Sequence, residues 1–256
     1  MDLGKIVVSS FKYPFRNLRK LPVLFLLFIL ISVIPIGMVY DNRCVTIIGL
    51  VAFFAFVLIV PGYLLSIVKS GFLGSGMMPS FDFGANIYDT VRLLVLRLVY
   101  MIVPVLVFFT VLSFGSSSME LLYEWKILSF LLSISFGFII VVVTFIIFEV
   151  LLFFAKARLA YLNSLQEALM INKVVDDIRN IGIFNIIKWV IIMVILMSVF
   201  YFVASWVMSI PYVGFLIYIG IVIPIMESIG NYSLGLIYSN IARNSGELER
   251  IRRDII

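Results

Sequence analysis

Glu227 and Asn231 stand four residues apart in "IPIMESIGNY", a stretch that is otherwise apolar. On a helix that spacing puts a carboxyl and a carboxamide on one face. The row extends through Gly220, Pro224, Ser228 and Gly235, a small and polar stripe. In hydrocarbon an acidic residue costs about 2.5–3.5 kcal/mol, so the stripe has to face other helices or an internal cavity. Two chemistries fit Glu227, Ser228 and Asn231. One is a site for a proton, a cation or a polar headgroup, with Pro224 freeing a backbone carbonyl nearby. The other is packing, in which a protonated Glu and an Asn hydrogen-bond between helices and glycines let backbones approach.

Arg97 and Glu149 form a second candidate, an ion pair. Each lies a turn or two inside the same end of its hydrophobic run, so pairing would lower the cost of both charges. The alternative is that both snorkel to the interface. Other chemistry finds little to build on. There is no His and a single Cys, Cys44, which excludes an intrachain disulfide and the usual imidazole or thiolate metal sites. No nucleophile has a recognisable base and no acids stand at metal-ligand spacing, so neither an enzyme nor a cofactor is expected. The glycines of "GFLGSGMMPSFDFG" match no phosphate-binding fingerprint, which leaves a flexible connection.

The elements that position these residues are membrane spans. Hydrophobic residues are 63% of the 256 and charged residues 13%, with a mean hydropathy of +1.20. Soluble domains are roughly 45–50% apolar and about 25% charged. Crossing a bilayer takes roughly 20 apolar residues, and six runs qualify, near 21–40, 45–68, 93–114, 127–154, 186–209 and 212–239, followed by a charged tail over 240–256. The last two runs are joined by a tight turn at Pro211. The basic N-terminus lacks a small-x-small cleavage pattern after its apolar run, so it reads as a retained first span.

Seventeen of the nineteen Lys and Arg fall on one side of these spans, Lys156 and Arg158 counted among them, and only Arg43 and Lys126 on the other. That bias puts both termini in the cytoplasm of a cell-membrane protein. It also accounts for the net charge of +5 without nucleic acid. Tyr40, Tyr123, Trp125, Trp206 and Tyr212 outside, and Tyr13, Tyr88, Tyr161, Trp189 and Tyr238 inside, stand where an interfacial belt is expected.

The cytoplasmic approaches to the spans read as amphipathic helices. In "KIVVSSFKYPFRNLRK", Val7, Phe11, Phe15 and Leu18 share a face suited to anionic headgroups, and Pro14 kinks or divides the helix. Ser164 and Glu167 form a capping box for "SLQEALMINKVVDDIRN", and Asn86 with Asp89 offers a start for "IYDTVR". "IYDTVR" and "VVDDIR" also match each other, 87 residues apart, which suggests three units of interfacial helix plus hairpin. An acid and a base at the mouth of any such helix explain the match as well.

"SFKYPFRN", "GYLLSIVKSGFLG" and "MPSFDF" followed by the six spans resemble an uncharacterised family of mostly archaeal multi-pass membrane proteins, a domain of unknown function. The resemblance covers nearly the whole chain and implies no activity. The expectation is an all-α polytopic protein with amphipathic cytoplasmic helices and a lipid bilayer as its partner. Its role is either small-solute transport using the Glu227 and Asn231 pair, or non-catalytic scaffolding and lipid organisation.

Overall fold

The computed structural model describes residues 2–39, 41–119, 127–210 and 213–245, with no strand among them. Ten α-helices follow in order: α1 (Leu3–Arg16), α2 (Leu21–Val39), α3 (Arg43–Phe72), α4 (Phe83–Met119), α5 (Ile127–Leu162), α6 (Leu165–Leu169), α7 (Ile171–Ile181), α8 (Ile183–Met208), α9 (Val213–Ile217) and α10 (Ile223–Ser245). Six spans among the described residues are long and apolar enough to cross a membrane, the last running through α9 and α10. The turn at Pro211, Tyr40, Tyr123, Trp125, Lys126, Tyr212 and the tail from residue 246 lie outside the described residues.

Several helices run past the expected ends of their spans. α4 begins at Phe83 because Asp82 Oδ1 accepts the Ala85 N–H at 3.0 Å. That cap lies four residues before Asn86, which is buried inside the helix and does not start it. α5 continues to Leu162, well beyond the expected end at 154. The last span carries a π-helical turn, Tyr218–Val222, directly before Pro224. Proline has no N–H to return to Gly220, and the Ile223 N–H bonds the Tyr218 carbonyl instead. Gly220 then lets α2 come close, since a Cβ there would stand 2.4 Å from Ile29.

Packing is concentrated at the end of the bundle that carries α1, α6, α7 and most of the basic residues. α3 is largely buried from Ile59 onward, and among the described side chains the buried apolar ones of α4 stop at Pro104 and those of α5 start at Phe154. The opposite halves of α4, α5 and α8 are mostly exposed apolar surface, as lipid-facing segments require. α1 docks into the packed end by Ile6, Ser10, Tyr13, Pro14 and Asn17, with the Tyr13 and Tyr232 rings stacked at 3.9 Å. Phe11, Phe15 and Leu18 stay uncovered on another face. Pro14 sits in the last turn and does not divide the helix. Tyr13, Trp189 and Tyr238 are core residues here, not a belt, because α10 covers Tyr13, α5 covers Trp189 and α7 covers Tyr238.

The loop after α3 is fastened in place, which corrects the expectation of a flexible connection. Asn17 Nδ2 donates to the Gly76 carbonyl at 2.9 Å, Lys20 to Met78 at 2.6 Å, and the Met78 N–H donates to Asn17 Oδ1 at 2.8 Å. These contacts satisfy backbone groups that would otherwise need water.

Glycine sets the seam between α3 and α10. A Cβ on Gly71 would meet the Tyr232 carbonyl oxygen at 2.3 Å, and one on Gly235 would meet that of Val68 at 2.2 Å. Backbone cannot yield as a side chain can. Gly235→Val is therefore expected to cost about 1–3 kcal/mol or more through overpacking, read as a lowered melting temperature in detergent. Wild-type melting would contradict this seam.

Candidate functional site

α10 carries the expected polar row, and the structure joins two of its three residues. Asn231 Nδ2 donates to the Glu227 carbonyl at 2.7 Å and to Glu227 Oε2 at 3.1 Å. Asn231 is buried at 4% exposure, whereas Glu227 is exposed. Ser228 is also buried but turns back on its own helix, donating to the Ile225 carbonyl at 2.8 Å. It takes no part in the pair.

A third residue completes the site. Lys156 Nζ, on α5, donates to Asn231 Oδ1 at 2.5 Å. The carboxamide is thus used at both ends, accepting from an ammonium and donating to a carboxylate. Hydrogen bonds to an ionised group are roughly twice as strong as neutral ones, and an unpaired lysine at this depth would cost about as much as an acid. The amide spreads the two charges over a short chain, and Glu227 keeps capacity to accept a proton or a donor from outside. Sequence reasoning missed Lys156 because it counted the residue in a cytoplasmic connection. The signal was there, since "LLFFAKARLAYL" keeps an apolar helical pattern through Lys156 to residue 162.

Arg97 and Glu149 are also brought together, Nη2 to Oε1 at 3.7 Å. Their side chains are 66% and 52% exposed, so this is a peripheral pair joining α4 to α5.

A second polar layer crosses the packed end. Asp89 is shared by Lys69 at 2.8 Å and Arg92 at 3.1 Å. Arg92 also donates to Asn163 Oδ1 at 2.8 Å and to the Asn163 carbonyl. Asn163 takes a left-handed φ of 52° just beyond α5, and Arg92 holds this chain reversal. Arg158 donates to Asp177 at 2.6 Å and to Glu167 at 3.1 Å, and the Tyr238 hydroxyl donates to the same Asp177 oxygen. The Ser164 cap is present, with its Oγ accepting the Glu167 N–H at 3.4 Å. The Glu167 carboxylate, however, is taken by Arg158 and by Lys173 at 2.7 Å. α6 and α7 are thereby clamped over the ends of α5 and α10 beside a polar cleft of about 610 Å³. Apart from the Asp89–Arg92 spacing and the Ser164 cap, these partners were not legible from local spacing, because they lie on different helices or in the turns between them.

The matched hexapeptides occupy unlike settings. Asp89 with Arg92 is buried inside α4, whereas Asp176 with Arg179, 3.7 Å apart, is exposed on α7. The buried acid of α7 is its neighbour Asp177.

A family described as protein of unknown function (DUF4013) matches residues 45–209 of the chain. That stretch includes Lys156 and ends before α10. No curated protein and no solved structure matches.

The clamp on α6 and α7 has a defined pH response. Hydrogen bonds from Lys173 and then from Arg158 hold the Glu167 carboxyl below its ordinary range. A lowered folded-state value means the stabilisation is complete above the ordinary carboxylate range and is lost as pH falls through the lowered value. A spin label on α7 at Asn172→Cys, with Cys44→Ser, should stay equally ordered from about pH 7 to about pH 5 and loosen only below about pH 4. Loosening at about pH 6 would contradict the clamp.

Proposed function

The chain belongs to the DUF4013 family, and from that premise we propose that it is a small, non-enzymatic membrane transporter of the permease type that works through Glu227. The observation that carries this reading is the Lys156–Asn231–Glu227 chain, in which an exposed carboxyl inside a membrane span is backed by a buried amide and a lysine. Intramembrane ionisable groups are costly and typically mark ion or substrate paths. Here Glu227 is the group that takes and releases a proton or a cationic ligand. Asn231 orients it, and Lys156 holds the amide in place from α5.

The π turn and Pro224 fit the same role. Non-helical backbone within a span loosens it next to the polar residues, a recurrent feature of substrate sites between discontinuous helices. The charge bias of the connections supports a cell-membrane protein with both termini in the cytoplasm. The packed end then faces the cytosol. The uncovered Phe11 and Phe15, alternating with Lys12 and Arg16, would rest on anionic headgroups there.

A second reading, a scaffold or lipid-organising protein, draws on the glycine seam of α3 and α10 and on Asn231 bonding within its own helix. The two readings part on whether Glu227 can be reached. N,N′-dicyclohexylcarbodiimide, which reacts with protonated carboxyls in apolar surroundings, should label Glu227 in the folded, membrane-embedded protein. The label should map to this residue and vanish in Glu227→Gln. A folded sample that takes up no label at Glu227 would overturn the transporter reading in favour of the scaffold.

A further inference from the structure

A cleft of about 750 Å³ runs between α5 and α8 with α10 behind it, within the roughly 300–1,000 Å³ of small-molecule sites. Its walls are almost wholly apolar, including Phe145, Val150 and Phe153 on α5 and Trp189, Met193 and Val194 on α8. All of these residues lie within membrane spans, so whatever enters comes from the bilayer or carries an apolar body.

The back of the cleft is the turn of α10 that bears the polar site. Met226 lines it directly. Met197, another lining residue, stands 3.8 Å from where a Cβ on Gly230 would lie. Met226 and Gly230 are four apart and share a face, and Glu227 and Asn231 form the adjacent row. α5 closes the same corner, because Phe154 lines the cleft and Lys156, two residues on, bonds Asn231. The apolar space and the exposed carboxyl of Glu227 are therefore neighbours.

The polar groups around the cleft set the sign of the ligand. Glu149 lies in it, with Ser198 and Tyr201, and Glu227 directly follows the lining residue Met226 on α10. Two cations close by are engaged, Lys156 with Asn231 and Arg97 with Glu149. The Glu227 carboxylate, which has no cation paired to it among the described residues, and the hydroxyls remain to meet what enters, and these accept hydrogen bonds from an ammonium group.

Resting on the transporter reading, we propose that the site takes an amphiphilic amine. Its ammonium group pairs with Glu227 and its alkyl chain lies in the cleft between α5 and α8, entered sideways from the bilayer. A proton and the ammonium then compete for one carboxylate, so amine binding accompanies proton release, which couples the two.

The test uses the full chain in liposomes with Trp125 and Trp206 changed to Phe, leaving Trp189, in the cleft wall, as the fluorescent reporter. A terminally brominated dodecylamine should quench Trp189 saturably. The matching brominated dodecanol, of equal chain length but neutral, should bind more weakly by about tenfold or more, the loss expected of one hydrogen bond to a charged group. Glu227→Gln should weaken the amine to a similar degree. Val194→Phe with Ser198→Phe, which fills the cleft and leaves Glu227 in place, should abolish the saturable phase. The proposal is overturned if amine and alcohol quench alike, if Glu227→Gln leaves amine quenching unchanged, or if the filled cleft still binds the amine. Carbodiimide labelling of Glu227 together with any of these three results would leave the transporter reading standing and remove the amphiphile.

Discussion

The bond from Lys156 to Asn231 is the interaction on which the rest depends. α5 carries its lysine half-buried within a membrane span, and the cost of such a charge falls when a polar partner is built in. α10 supplies that partner and the compensating carboxylate. The two helices are thereby fixed in register, and Glu227 is held outward from the turn where Asn231 is buried. Apolar contacts alone would not do this, since in lipid they leave helices free to slide.

The remaining structure can be understood as support for that contact. Gly71 and Gly235 bring the backbones of α3 and α10 together one turn beyond Asn231. Arg92 ties α4 to the turn after α5, and Arg158 ties α5 to the short helices α6 and α7 at the packed end. With that end locked, the opposite halves of α4, α5 and α8 are free to present apolar surface to lipid. The bundle thus has one tightly packed end and one end of mostly exposed apolar surface.

Span number, the helical class and the pairing of Glu227 with Asn231 were legible in the sequence because they depend on short-range periodicity: a run of apolar residues, or a spacing of four. Lys156 was hidden by the rule that exposed the spans. A base near the end of an apolar run reads as a connection, although the alanines around it continue the helix. The fates of Ser228 and Trp189 were also invisible. A serine can bond its own backbone as readily as a neighbour, and a tryptophan near an interface is buried or left in the headgroups according to which helix happens to cover it. The Arg158–Asp177–Tyr238 cluster draws on three separate helices, so no local pattern announces it.

The direct measurement is a double-mutant cycle between Lys156→Met and Asn231→Leu, read as unfolding free energy in one detergent. If the lysine and the amide are bonded, each single change strands the other partner, and the double change costs less than the two added together. The expected coupling is about 1 kcal/mol or more, beyond the roughly 0.3–0.5 kcal/mol within which independent sites add. Additive losses would mean that α5 and α10 are not joined at this point, and the account of Glu227 as a positioned group would not hold.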